Sequence, residues 1–102
     1  MAKAILEYHD KALLPDGGIV EMTIWRLPAA SRERPHGLKY SLYYGKGGQR
    51  IVGYDNEAGK GDHRHLGPRE EAYEFTTVGA LVADFLADIE RAQKLKGLDN
   101  DG

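Results

Sequence analysis

Leu38-Lys-Tyr-Ser-Leu-Tyr-Tyr44 runs into Gly45-Lys-Gly-Gly48 and then into Gln49-Arg-Ile-Val-Gly-Tyr54. In the first run Leu38, Tyr40, Leu42 and Tyr44 alternate with Lys39, Ser41 and Tyr43, the period-two pattern of a strand with one apolar face. The short glycine-rich turn makes an antiparallel hairpin with the second run the economical connection. It is not read as a phosphate loop, because no Lys-Ser/Thr ending opens a helix after it.

Working outward from this hairpin, Ile19–Leu27 places Val20, Met22 and Ile24 on one face and Glu21 and Thr23 on the other. Trp25 falls on the Glu21 face, so that face is expected to be partly covered by another element or a partner. Pro15-Asp-Gly-Gly18 is a strong turn signal between this strand and an earlier one, drawn at Lys3–Tyr8 and resuming at Lys11–Leu14. Downstream the period changes. Val78, Leu81, Val82, Phe85, Leu86 and Ile89 recur at three- and four-residue steps, the stripe of a helix laid on a sheet. Thr76 or Thr77 caps its start, Lys94 and Lys96 suit its negative end, and Gly97 offers a stop.

The expectation is an α+β fold: an antiparallel meander of about four strands with one C-terminal helix packed on a face. A short fifth strand at Ala72–Phe75 is compatible with it. Residues 1–97 are read as one domain and 98–102 as a flexible C-terminal tail.

A chain of 102 residues is near the usual size of a single domain and folds without covalent staples. The absence of cysteine excludes disulfides, thiolate catalysis and Cys-based zinc sites. With no apolar run of membrane-spanning length and no signal-peptide pattern, the expected location is the cytoplasm, with no membrane partner. A net charge of −2 argues against a broad basic surface for nonspecific nucleic-acid binding. Arg32, Arg34, Lys39 and His36 still gather in Ala30–Lys39, either as a local basic patch or as a solvated loop.

Between the hairpin and the helix lies Tyr54-Asp-Asn-Glu-Ala-Gly-Lys-Gly-Asp-His-Arg-His65, which is almost free of apolar residues. The connection from Asp55 to about Glu71 is long for a compact domain, and its composition favours function over disorder. Gly59 and Gly61 flank Lys60, so backbone amides and an ammonium can approach an anion together. His63 and His65 project from one face if the segment is extended, with Asp62 and Arg64 opposite.

Three readings follow. In the first, His63 and His65 transfer protons in RNA cleavage, Asp55 or Asp62 orients an imidazole, and Lys60 and Arg64 hold phosphate. Tyr54 stacks on a base or positions a phosphate, and Asn56 joins the binding residues. In the second, the two histidines join Asp55, Asp62 or Glu21 around a divalent ion, a weak signal from a lone His-X-His beside Lys60 and Arg64. In the third the segment is purely structural, with Asp55 and Asn56 in turn hydrogen bonds and the His-Arg pair contacting Glu70 or Glu71. The site is assigned as catalytic His63, His65, Asp62 and Asp55 and binding Lys60, Arg64, Tyr54 and Asn56, without metal or cofactor.

Asp16-Gly-Gly-Ile-Val-Glu-Met-Thr-Ile-Trp-Arg26, Lys39-Tyr-Ser-Leu, the 54–65 segment, Tyr73-Glu-Phe75 and the Leu81–Ile89 helix together resemble the TumE family over nearly the whole chain. That resemblance implies the toxin of a two-gene bacterial toxin–antitoxin module, neutralised by a cognate antitoxin, usually a DNA-binding protein encoded beside it. The expected function is therefore a toxin, with metal-independent endoribonuclease activity as the first mechanism and RNA as its substrate. The alternatives are a nonenzymatic module binding an anionic ligand or a partner protein, and a metal-dependent phosphodiesterase. An exposed sheet edge would also allow a homodimer.

Overall fold

A computed structural model describes residues 3–57 and 60–101, with residues 96–101 described by backbone only. Six strands and one helix follow in order: β1 (Ile5–Leu13), β2 (Ile19–Arg26), β3 (Leu38–Lys46), β4 (Gln49–Asp55), β5 (His63–Leu66), β6 (Arg69–Ala72) and α1 (Val78–Asp101). The sheet is a fully antiparallel meander in which every strand pairs with its sequence neighbours.

The hairpin at residues 38–54 forms as its pattern dictates. Gly47 and Gly48 both take positive φ, the conformation that a two-residue turn matching strand twist requires. The turn between β1 and β2 is held by Asp16, whose Oδ1 accepts from the Gly18 amide at 2.7 Å. β1 is one strand rather than two, with a register shift between Leu6 and Tyr8 that leaves Glu7 as an extra residue.

The expectation of about four strands is corrected to six. The two additional strands come from the segment read as a polar loop, where β5 and β6 are joined by Gly67-Pro68, with Gly67 at φ 62°. The anticipated strand at Ala72–Phe75 is displaced, since β6 ends at Ala72. Amphipathic strands need not be rich in apolar residues when a charged pair can serve as the inward contact, which is how Arg64 and Glu71 are used here.

Thr77 caps α1 as expected, its Oγ1 accepting from the Ala80 amide at 3.0 Å. The helix backbone continues through Gly97 to Asp101, so Gly97 does not stop it and Lys94 and Lys96 do not occupy its last turn. Gly102, the final residue of the expected tail, lies outside the described residues. The core joins Val20, Met22 and Ile24 of β2, Leu38, Tyr40, Leu42 and Tyr44 of β3, and Val52 and Tyr54 of β4 to Leu81, Phe85 and Ile89 of α1. At the far edge, every residue of β1 is exposed. None of the described helices is long and apolar enough to cross a membrane.

Tyrosine hydroxyls link this core to acids. Tyr54 donates to the buried Asp88 of α1, Tyr40 to Asp62 at 2.7 Å and Tyr73 to Asp84 at 2.6 Å. Burial first, and the neighbouring carboxylate second, push the Tyr54 phenol up to about 12 and raise those of Tyr40 and Tyr73 as well. These phenols release protons more readily in the unfolded chain, so their contribution to stability is complete below about pH 10, the ordinary phenol value, and is lost as pH rises through the folded values. Urea melts across the alkaline range are expected to show stability falling above about pH 10, with the ring resonances of Tyr40, Tyr54 and Tyr73 reporting ionisation only together with unfolding. Ionisation of these three rings in the fully folded protein near the ordinary value would contradict their buried contacts.

Candidate functional site

Register decides which side chains of the 54–65 segment meet. Asp55 lies opposite His63 and Gly53 opposite His65, while Tyr54 lies opposite Arg64. Because strand side chains alternate, Asp55, His63 and His65 share the face turned away from the helix, and Tyr54 and Arg64 share the helix face. On the other side of β5, His65 lies opposite Glu70 of β6. The condition attached to the His-X-His spacing, that the segment be extended, is met by a strand rather than by a loop.

On the outer face the two imidazoles stand edge to face with centroids 5.0 Å apart, and both turn toward one carboxylate. Nε2 of His63 is 2.5 Å from Asp55 Oδ1, and Nε2 of His65 is 3.9 Å from Asp55 Oδ2. Glu70 closes the group, 3.6 Å from His63 Nε2 and 3.9 Å from His65 Nδ1. The cluster is well sheltered, with the side chains of His63, His65 and Asp55 only 8%, 12% and 21% exposed.

Two details define its chemistry. His63 Nδ1 lies 3.0 Å from the Gly61 carbonyl, an acceptor, so Nδ1 carries the hydrogen it donates. The positive φ of Gly61 turns that carbonyl into place. Asp55 Oδ1 is buried and receives no hydrogen bond, and its close contact is the His63 imidazole nitrogen. Burial and the nearby Arg50 guanidinium lower the pKa of His65, outweighing the opposing pull of Asp55 and Glu70. Arg50 reaches the site by crossing Gly53, where an added Cβ would stand 2.8 Å from Arg50 Cδ.

The other anticipated site residues separate into different environments. Lys60 stays at the rim, lining an open depression with Asp62, His63, Glu70, Glu71 and Ala72. Its neighbour Gly59 lies outside the described residues. Asp62 does orient an imidazole, but that of His36, at 3.0 Å, while also accepting from Tyr40. Arg64 bonds Glu71 at 3.0 Å and reaches Tyr54 and Asp88 under the helix, so it is engaged in the fold, as the structural reading has it. Tyr54 is fully buried, edge to face with Tyr73 and Phe85, and offers no ring face to a base.

Asn56 is likewise buried. Its side chain donates to the Leu38 carbonyl at 2.8 Å and accepts from the Tyr40 amide at 3.0 Å, fastening the end of β3. Glu21 pairs with His9 at 3.1 Å on the far strands and takes no part in the cluster. In the Ala30–Lys39 connection Arg34 donates to the Asn56 carbonyl and His36 is held by Asp62 and lies tilted against Phe75, while Arg32 and Lys39 are exposed.

Sequence reasoning named Glu70 only in the structural reading, as a contact of the His-Arg pair, placed His36 only in a basic patch or solvated loop, and missed Arg50. Gly67-Pro68 was the available signal for the place of Glu70, since a turn dipeptide there folds it back beside His65 and makes a strand of His63–Leu66. It also missed Asp88, whose signal was its place seven residues after Leu81 and three after Phe85, on the apolar stripe itself. His36 carries no local signal, because its partner is 26 positions away.

A family model described as Toxin TumE matches residues 4–93. No curated protein and no solved structure matches the chain.

Proposed function

The chain belongs to the TumE toxin family, and from that premise we propose that it is the toxin of a bacterial toxin–antitoxin module and cleaves RNA at the Asp55–His63–His65 face. The observation that carries this reading is the convergence of two sheltered imidazoles on one carboxylate beside an open polar depression. His65 takes the proton of a ribose 2′-hydroxyl, the 2′-oxygen attacks the adjacent phosphorus, and the bond to the 5′-oxygen breaks. The His63–Asp55 pair returns a proton to that leaving oxygen. Lys60 and Arg50 offset the negative charge that builds on the phosphate.

Tyr54, Asn56 and Arg64 support this face from behind and are not part of the proposed substrate contact. A cognate antitoxin is the protein partner that family membership implies.

Metal-dependent phosphodiester cleavage is the second reading, favoured by the close approach of donor atoms from Asp55, His63 and His65, all within 4.8 Å of one another. Induced expression in a host without the antitoxin tests both together. Wild type is expected to arrest growth, and the His63→Ala, His65→Ala double variant at matched soluble level is expected not to. Arrest by both would remove these imidazoles from the mechanism. With purified protein, RNA cleavage in the presence of EDTA selects proton transfer, and cleavage lost to EDTA selects the metal. Intact RNA under both conditions would end the RNA reading.

A further inference from the structure

We propose that Asp55, His63 and His65 form a binding site for a borderline divalent transition-metal ion, Zn²⁺ above all. This inference stands on ligand placement and not on RNA cleavage. Three residues offer two imidazole nitrogens and one carboxylate oxygen, all within 4.8 Å of one another. Bonds of about 2.0–2.2 Å from such donors to zinc place neighbouring donors roughly 3–3.5 Å apart in a tetrahedral site. The 2.5 Å and 3.9 Å separations from Asp55 to the two histidines bracket that spacing, so modest rotations about the side chains suffice.

The surroundings carry the argument further. A metal-bound histidine normally donates its other ring N–H to a carbonyl or carboxylate, which fixes the tautomer and aims the free nitrogen. His63 has this arrangement: Nδ1 faces the Gly61 carbonyl and Nε2 faces Asp55. For His65, Nε2 faces Asp55, and Nδ1 lies 3.9 Å from Glu70, which is near it but beyond hydrogen-bond distance. Asp55 Oδ1 is the one buried side-chain polar atom among the described residues without a hydrogen-bond partner, and it points at the nitrogen that would share the ion. A cation between that nitrogen and that oxygen would bond an oxygen to which the fold supplies no hydrogen bond.

The donor set also selects the ion. Two imidazoles and a single carboxylate suit zinc and its neighbours, whereas magnesium and calcium require a shell dominated by oxygen. Three protein ligands leave a fourth position, as in sites that keep an exchangeable ligand, and His63 lines the depression that also holds Lys60 and Glu70. The ion would occupy the same nitrogen lone pairs that take up protons in the metal-free reaction, so zinc loading and metal-free cleavage exclude one another at this site.

The test is calorimetric titration of the EDTA-treated full chain with ZnCl₂ and separately with MgCl₂. One zinc per chain is expected, with no comparable magnesium binding. His63→Ala and His65→Ala are each expected to weaken zinc binding by at least about tenfold, and His9→Ala at the exposed Glu21 pair is expected to leave it unchanged. To avoid dependence on folded variants, Co²⁺ added to wild type should broaden the ring resonances of His63 and His65 ahead of those of His9 and His36. Absence of zinc binding, or binding that ignores His63 and His65 and follows His9, would overturn the assignment. Zinc binding by a protein that leaves RNA intact both with zinc and with EDTA would leave the site standing and defeat only the catalytic reading.

Discussion

Replacing Phe85 with alanine is expected to remove about 3–5 kcal/mol of folding stability, the usual cost of emptying a large buried aromatic site. Phe85 is fully buried on α1 and meets Tyr54 edge to face at 5.9 Å. The loss would not be confined to one contact, because Tyr54 also reaches Asp88, and Asp88 receives Arg64 from β5 and Arg91 from the helix. Domains of this size have roughly 5–15 kcal/mol in total, so the variant should be marginal. Leu86→Ala, one position along but about half exposed, is the control and should stay within about 0.5 kcal/mol. Urea denaturation followed by circular dichroism measures both. Equal effects at the two positions would mean that α1 is rotated relative to the sheet.

The second large effect separates two aspartates that look interchangeable in sequence. Asp55→Asn keeps the shape of the side chain but removes the charge facing both imidazoles, and is expected to abolish growth arrest while the protein remains folded. Asp62→Asn acts elsewhere. Its carboxylate accepts from His36 and from Tyr40, two partly buried donors that an amide can satisfy only in part. It should cost about 1–3 kcal/mol of stability while retaining arrest at matched soluble level. Paired growth curves and thermal melts read the two axes independently. Loss of arrest at Asp62 without loss of stability would return that residue to the chemistry and undo the assignment of faces.

The elements that could be read from sequence were those in which apolar periodicity and turn chemistry agree. Residues 38–54 and the stripe from Val78 to Ile89 gave the hairpin and the helix because burying those side chains is what forms them. β5 and β6 lack that signature. Their inward positions include Arg64 and Glu71, which satisfy each other, so these strands carry charge where an apolar period would mark them. The His-X-His pair and Asp55 were legible as candidates, since spacing alone puts both rings on one side of an extended chain. That Tyr54, Asn56 and Arg64 would be turned inward depended on the register of Asp55 with His63, a pairing fixed by the hidden strand. Gly67-Pro68 was the one local mark of it.

The neighbour-to-neighbour meander has a consequence for how the molecule assembles. Each strand closes on the one just before it, so the entropic cost of each step is that of a short loop, and the sheet can zip in sequence without waiting for distant segments. Asp55, His63, His65 and Glu70 come together in the last two of these closures, β4 with β5 and β5 with β6. The helix that follows then anchors the back of the same strands through Asp88 and Arg64. During synthesis the face proposed as reactive would thus be completed only after residues through Ala72 have emerged, so a shorter nascent chain lacks it.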